Sequence, residues 1–380
     1  MRRRTAYILI LSVMSLLVIG VVMLFSTGAY ARDSHGDIYY FVKRQSMWLL
    51  VGGGAMVVAA MIDYRWWARF LPWLYGLCLI LLVLCLIPPF GKEINGAWRW
   101  LNLGIVTFQP SELGKFVVLL FLAWWYSRYS DEVSQFWRGF VYPLAMVGLI
   151  MGLIVIEVDL GATALIGMTA LAVMFVAGTG LRWLVPLVFV GLAGLVYAIF
   201  NIEERMARLV AFLDPEKYKL AEGLQQWQAM LAFGAGGIDG LGLGNGRQKM
   251  LYLPYAHTDF IFPMIGEELG LRFTLLTVFC FLLILLAGAL IAMNSKDRFG
   301  MLLGFGITIM LTLQAAINIG VTTSLLPNKG MPLPFISYGG SNLAISLLFV
   351  GILLNIHRQG RSIPRRRVRA VPATSLAVRI

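Results

Sequence analysis

Apolar residues in this chain come in long runs, and the polar residues collect in the gaps between them. Ten such runs stand out, near residues 6–26, 46–64, 71–89, 111–127, 140–157, 160–179, 181–200, 258–293, 300–325 and 334–356. Most match the roughly 17–25 residues that a helix needs to cross a bilayer. The pattern predicts an all-α, polytopic membrane protein of about ten transmembrane helices. The eighth run is overlong, so it must tilt, kink at Pro263 or begin outside the bilayer. Residues 201–256 form the one long segment between runs. It opens amphipathically with Arg205, Arg208, Leu209 and Phe212, and Gln225 to Leu231 reads as a second short interfacial helix.

Charge gives this array a direction. The chain is 59% hydrophobic and 13% charged, with a net charge of +12. Arg2, Arg3 and Arg4 precede the first run, and Arg358, Arg361, Arg365, Arg366, Arg367 and Arg369 follow the last. Basic flanks mark the cytoplasmic side. With an even number of spans, both termini are then cytoplasmic and residues 201–256 face outward. The even connections agree, carrying Arg65 and Arg69, Arg128 and Arg138, Arg182, then Lys296 and Arg298. The first outer loop runs against the rule with Arg32, Lys43 and Arg44. Asp33 and Asp37 offset Arg32, and the other two can snorkel. The division is a transmembrane domain over 1–357, with 201–256 as its extracytoplasmic loop, and a basic cytoplasmic tail over 358–380. That tail reads as a topogenic signal, and no nucleic-acid partner is expected. The run from Ala6 to Phe25 exceeds a signal-peptide core, so it reads as an uncleaved first span. Cys78, Cys85 and Cys280 lie in apolar runs and read as small core residues, without metal or disulfide spacing.

Ionisable groups at membrane depth are costly and point to function. Three carboxylates, Asp259, Glu267 and Glu268, sit at or inside the head of the eighth run. On an ideal helix Glu267 lies about 80° round from Asp259 and about 12 Å deeper, with Glu268 near the opposite side. Asp259 and Glu267 are therefore expected to share a cavity wall. A bland alternative is that Asp259 only caps the helix, helped by Thr258. Glu112 and Lys115, three apart at the head of the fourth run, can pair on one face, and Pro110 suits that helix start. Asp159 heads the sixth run. The irregular stretch Pro327–Ser341, with Ser337, must be buried in protein or line a cavity. All of these fall at outward ends of their runs, whereas a transport path would place its charges nearer the midplane. The Gly-rich stretch Gly234–Arg247 has neither Gly-Lys-Ser/Thr nor a strand-Gly-helix unit, so it is no nucleotide loop. It reads instead as a flexible loop that brings Arg247 and Lys249 to a lipid pyrophosphate.

Together these stretches resemble one family. Asn95-Gly96-Ala97 with Arg99-Trp100, Gln109-Pro110-Ser111-Glu112-Leu113-Gly114-Lys115, Asp159-Leu160-Gly161, His257-Thr258-Asp259-Phe260-Ile261-Phe262, Gly266-Glu267-Glu268-Leu269-Gly270 and Pro332-Leu333-Pro334-Phe335-Ile336-Ser337-Tyr338-Gly339-Gly340-Ser341 look like the SEDS family (shape, elongation, division, sporulation) over nearly the whole chain. Asn95-Gly96-Ala97 and Gln248-Lys249-Met250-Leu251-Tyr252-Leu253-Pro254 look more like its division members than its elongation members. The resemblance implies a bacterial inner-membrane peptidoglycan glycosyltransferase that polymerises lipid II. It implies work beside a class B penicillin-binding protein and other divisome or elongasome membrane proteins. It puts the essential aspartate at Asp259, the cavity carboxylate and lysine at Glu112 and Lys115, and a further acid at Asp159. Three departures stand out: Tyr255 where the family usually has Glu, the loose Gln226-Trp227-Gln228-Ala229-Met230, and Leu271-Arg272 after Glu-Glu-Leu-Gly. The expected mechanism is inverting transfer, with Asp259 as general base on the 4-hydroxyl of the incoming sugar. Lys115, Arg247 or a divalent cation such as Mg or Mn would offset the pyrophosphate. A lipid II flippase and a non-catalytic scaffold for the penicillin-binding protein are the rival readings.

Overall fold

The computed structural model describes residues 2–360 except 29–36, 38, 89, 95, 103, 105–106, 202 and 251. Arg32, Asp33, Asn95, Leu103 and Leu251, and the arginines beyond Gly360, lie outside the described residues. Each apolar run is a helix. In order these are α1 (Arg2–Gly28), α2 (Tyr40–Met61), α3 (Arg65–Cys85), α4 (Pro110–Arg128), α5 (Tyr142–Ile156), α6 (Leu160–Ala177) and α7 (Leu181–Phe200). Two short helices follow, α8 (Glu203–Leu213) and α9 (Leu224–Gly236), then α10 (Ile261–Met293), α11 (Arg298–Thr322) and α12 (Gly340–Gly360). Among the described residues seven helices are long and apolar enough to cross a membrane. Of the other three, α2 and α4 carry charges near their starts, and α7 has a shorter apolar stretch, Leu181–Gly194. The protein is a multi-pass membrane protein.

Short connections make successive long helices run in opposite directions. One end of the bundle therefore gathers the C-termini of α1, α3, α5, α7 and α11 with the N-termini of α2, α4, α6, α10 and α12. Asp159, Asp259 and Glu112 lie at this end, while Arg65, Arg138, Arg182 and Arg298 lie at the other. The helix α4 is the axis: every residue from Gly114 to Ala123 is buried, as its apolar surface requires, with Lys115 the one charge among them. Helices α2 and α12 meet through small residues, with Gly52 against Ala344 and Gly351 against the Met56 carbonyl. Such close backbone approach suits association inside lipid. Helix α7 stands at the rim, with Leu184 its one buried hydrophobic side chain among those described.

Three features differ from the sequence reading. A small antiparallel sheet, β1 (Gly91–Ile94), β2 (Ala97–Asn102) and β3 (Thr107–Phe108), occupies the supposed loop between α3 and α4. Its strands are too short to show against the surrounding apolar runs. The overlong α10 breaks at Gly270, which takes φ 77° inside the helix; Pro263 sits in the first turn, where its missing N–H is harmless. A half-helix, Ile261–Leu269, thus precedes the spanning part. The peptide groups freed by the break pair outside the helix. Leu271 N donates to Gly237 O, while Leu241 N and Gly242 N donate to the carbonyls of Glu267 and Glu268. Helix α9, read as interfacial, instead buries Gln226, Ala229, Ala232 and Gly236, packing on α10 with Gly236 tight against Gly266.

Candidate active site

The first polar cluster is assembled from five elements. The side chain of Asp159 caps α6, accepting from Ala162 N at 3.1 Å. It also accepts from Gln109 Nε2 at 2.9 Å and Ser111 Oγ at 3.3 Å, and Arg99 of β2 stands 4.0 Å away. Lys115 Nζ donates to Glu112 Oε1 at 2.7 Å and to Gln314 Oε1 of α11 at 3.0 Å. The other Glu112 oxygen accepts from Asn342 Nδ2 of α12 at 3.1 Å. The i,i+3 pair expected from spacing is formed and buried, at 5% and 4% side-chain exposure. Each of these buried charges is paired or hydrogen-bonded, as burial demands.

Asp259 is held differently. Its backbone carbonyl accepts from Asn318 Nδ2 at 2.8 Å. The flanking chain is tied to the irregular stretch before α12: Ser337 Oγ donates to Thr258 O at 2.6 Å, and Tyr338 N to His257 O at 3.0 Å. Its carboxylate accepts no hydrogen bond from any described residue, and Phe260, not Asp259, is the N-cap of α10. The group is partly buried. Burial pushes its pKa up, to about 6, with Arg99 pulling it down and Asp159 pushing it up. A carboxylate in that range, fixed by its backbone and open at its tip, can take up a proton near neutral pH.

The second cluster lies along the half-helix. Glu267 accepts from Arg247 N at 2.7 Å and Gln248 N at 3.1 Å. Glu268 accepts from Ser26 Oγ of α1 at 2.7 Å, Gly244 N at 2.9 Å and Lys249 Nζ at 2.6 Å. Lys249 also donates to Gly244 O at 2.8 Å. Gly246 must be glycine here, because a Cβ would come within 2.9 Å of both carboxylates. These contacts latch the Gly-rich loop onto α1 and α10.

Of the residues picked out from the sequence, Glu112, Lys115, Asp159, Asp259 and Ser337 come together at one end of the bundle. Ser337 serves there through backbone contacts. Glu267 and Lys249 do not join them, because the loop takes their charges; the break at Gly270 and the loop's backbone donors were invisible to a helical wheel. The guanidinium of Arg247 is exposed on that loop. The sequence reading quoted Arg99 and Gln109 within motifs without giving them a role, and it passed over Gln314, Asn318 and Asn342. Polar Gln314, Asn318 and Asn342 inside apolar runs were the available signal.

The fold is that of a polytopic membrane protein that gathers Asp259, Asp159, Glu112 and Lys115 at one end of its bundle. The chain belongs to the cell cycle protein family of FtsW, RodA and SpoVE, whose model matches residues 7–362; this is the SEDS family of the sequence reading. It is 40% identical over 359 residues to the "Probable peptidoglycan glycosyltransferase FtsW" of Geobacter metallireducens, covering 94% of this chain and 96% of that one. It is 38% identical over 355 residues to the "Stage V sporulation protein E" of Bacillus subtilis, covering 93% and 97%. Among solved structures it resembles a chain from a study of "polymerization and crosslinking by a peptidoglycan synthase complex", with TM-score 0.77 and 27% identity over 93% of this chain and 98% of that one. It also resembles the rod shape determining protein RodA of Thermus thermophilus, with TM-score 0.67 and 28% identity over 92% and 95%.

Proposed function

We infer that this chain is a peptidoglycan glycosyltransferase that polymerises lipid II into glycan strands at the outer face of the bacterial inner membrane, for septal wall synthesis. The observation that carries the chemistry is the open, partly buried carboxylate of Asp259 beside the hydrogen-bonded Asp159 and the Glu112–Lys115 pair. Its relatives' names supply the substrate class, and the Arg-rich opposite end supports cytoplasmic termini with the site outward. Asp259 takes the proton of the acceptor 4-hydroxyl as that oxygen attacks the anomeric carbon of the lipid-linked strand. The diphosphate leaves with the bonding electron pair. The activated donor supplies the driving force, so no nucleotide is needed.

A divalent cation fits only in part. Among the described residues no three His, Cys, Asp or Glu side chains converge. Asp259 offers bare oxygens, but those of Asp159 are committed. A Mg ion would be held by Asp259, with waters and phosphate oxygens completing its shell, and would add charge neutralisation. The resemblance to a chain of a peptidoglycan synthase complex supports a class B penicillin-binding protein as partner. A lipid II flippase is disfavoured: below Lys115 the interfaces of α4, α6 and α11 are filled by Leu119, Val173, Ile307 and Met310. The test is purified protein with its partner, given labelled lipid II and inspected for glycan ladders. Strands from wild type and none from Asp259→Asn is the expected result. Lipid II movement across vesicles without any strand would replace the enzyme by a flippase.

A further inference from the structure

The irregular stretch before α12 cannot hold itself. Pro332 and Pro334 have no N–H to give, and the carbonyls beside them still need donors. Met331 and Leu333 are buried, at 5% and 0% exposure, so solvent does not supply them. The donors come from α11. Gln314 Nε2 donates to Pro332 O at 2.8 Å, and Asn318 Nδ2 to Met331 O at 2.6 Å. The two residues are four apart and share one face of the helix. They make two rungs of a ladder between α11 and two successive carbonyls.

Each rung leads on to a charged group. Asn318 Nδ2 also donates to the Asp259 carbonyl at 2.8 Å. One amide thus ties the backbone of the acid to the stretch that its carboxylate lies against, where a Cβ added to Gly330 would fall 2.6 Å from Asp259 Oδ2. On the other rung, Gln314 Oε1 accepts from Lys115 Nζ at 3.0 Å. That bond decides which way the amide faces. Turned over, the amide would set its oxygen against the Pro332 carbonyl and its NH2 against an ammonium. Lys115 therefore keeps the donor of Gln314 on Pro332. Lys115 is in turn held by Glu112 Oε1 at 2.7 Å, with 5% of its side chain exposed, and Asn342 Nδ2 holds the far Glu112 oxygen at 3.1 Å. A lysine so enclosed is badly placed to meet a phosphate and well placed to orient its neighbour.

We propose that Lys115 is a positioning residue: through Gln314, the Met331–Pro332 backbone and Asn318 it sets the aim of Asp259, and it makes no contact with the diphosphate of the substrate. The inference rests on the polymerase reading and deepens it. It gives Lys115 a different task from the charge neutralisation expected from the sequence. Asp259 remains the group that takes the proton. The ladder governs where its carboxylate points when the acceptor hydroxyl arrives, and a small misplacement there is costly.

Polymerisation of lipid II by the full-length protein with its partner tests this, beside hydrogen exchange of the same proteins without substrate. Gln314→Met keeps the side-chain length, leaves the Glu112–Lys115 pair in place and removes one rung. It should cut kcat about ten- to hundredfold, with KM for lipid II within about twofold of wild type. Asn318→Ser reaches the other rung and should act alike, so either variant that folds is sufficient. Glu112→Gln/Lys115→Met removes both charges together and leaves neither unpaired. Added to Gln314→Met, it should lower kcat by no more than about threefold further, because the path it acts through is already cut. Losses that multiply in full, or a KM raised about tenfold by the charge removal, would put Lys115 on the substrate and overturn the proposal. Wild-type kcat in folded Gln314→Met or Asn318→Ser would also overturn it. Amide exchange over Lys329–Ser337 and His257–Phe260 should quicken in Gln314→Met and in Glu112→Gln/Lys115→Met alike. Unchanged exchange there, in variants that melt as wild type does, overturns the ladder whatever the activity. Wild type that makes no strand, while its variants show this exchange pattern, overturns the polymerase reading and leaves the ladder standing.

Discussion

Asp259 and the pair Glu267–Glu268 come from one fourteen-residue stretch, His257–Gly270, and end in opposite states. The two glutamates are enclosed, at 0% and 1% exposure, and meet backbone N–H groups, a serine and a lysine. The aspartate, by contrast, is anchored through its backbone and left without a donor at its tip. The sequence places all three at or inside the head of one apolar run, Glu267 about 12 Å deeper than Asp259. The difference shows that depth alone does not mark a chemical group in a membrane protein. What separates the three is whether the carboxylate itself finds donors: those of the two glutamates do, and that of Asp259 does not among the described residues.

The sharpest way to break this comparison is Asp259→Asn. Loss of a general base should cost about 10²–10⁴-fold in strand formation, or roughly 3–5 kcal/mol in the transition state, with folding intact. Near wild-type polymerisation would place the base elsewhere. Glu268→Ala should do the reverse. It strands Lys249 in a site where that side chain is 1% exposed, destabilising the fold by about 3–5 kcal/mol, read as an early thermal transition and poor yield. A stable Glu268→Ala protein would mean that the latch is peripheral. Gly330→Ala pushes a methyl group against Asp259 Oδ2 and should cut turnover about ten- to hundredfold with little change in melting. Turnover unchanged in that variant would show that the carboxylate has room to move.

Titration gives a finer test. With a pKa near 6, Asp259 must be ionised to act, so the rate should rise through about pH 6 and level off above pH 7. The stability effect has the opposite sign. A carboxyl raised above its unfolded value near 3.9 favours folding below that value, and this advantage is lost as pH rises through 6. Asp259→Asn should therefore melt above wild type at pH 7.5, and the gap should close toward pH 4. A gap independent of pH would refute the assigned cause. Smallest of all, Arg247→Ala should change stability by no more than about 0.5 kcal/mol, since the exposed guanidinium takes no part in the latch.

Much of this was legible in the chain. The ten runs gave ten helices because apolar length is what a bilayer demands, and the shared end of Glu112, Asp159 and Asp259 followed from counting alternating spans. The Glu112–Lys115 pair followed from helical spacing. Periodicity cannot show where a helix stops being one. Gly270 looked like any glycine in an apolar run, and its break sent Glu267 and Glu268 to the loop. Arg99 lies in a strand six residues long (Ala97–Asn102), too short to place by pattern, and its meeting with Asp159 is a tertiary fact.

The latch also has a consequence for biosynthesis. Its partners Ser26 and Glu268 are 242 residues apart, so they cannot meet until most of the chain has left the ribosome. Asn318 and Ser337, which hold the segment around Asp259, come later still. A nascent chain therefore carries Asp259 without the contacts that hold its segment, and it should form no strand until the last helices are inserted. Truncated products stopping before Asn318 should sit in the membrane as inert fragments, unable to build glycan where no complete synthase has been assembled.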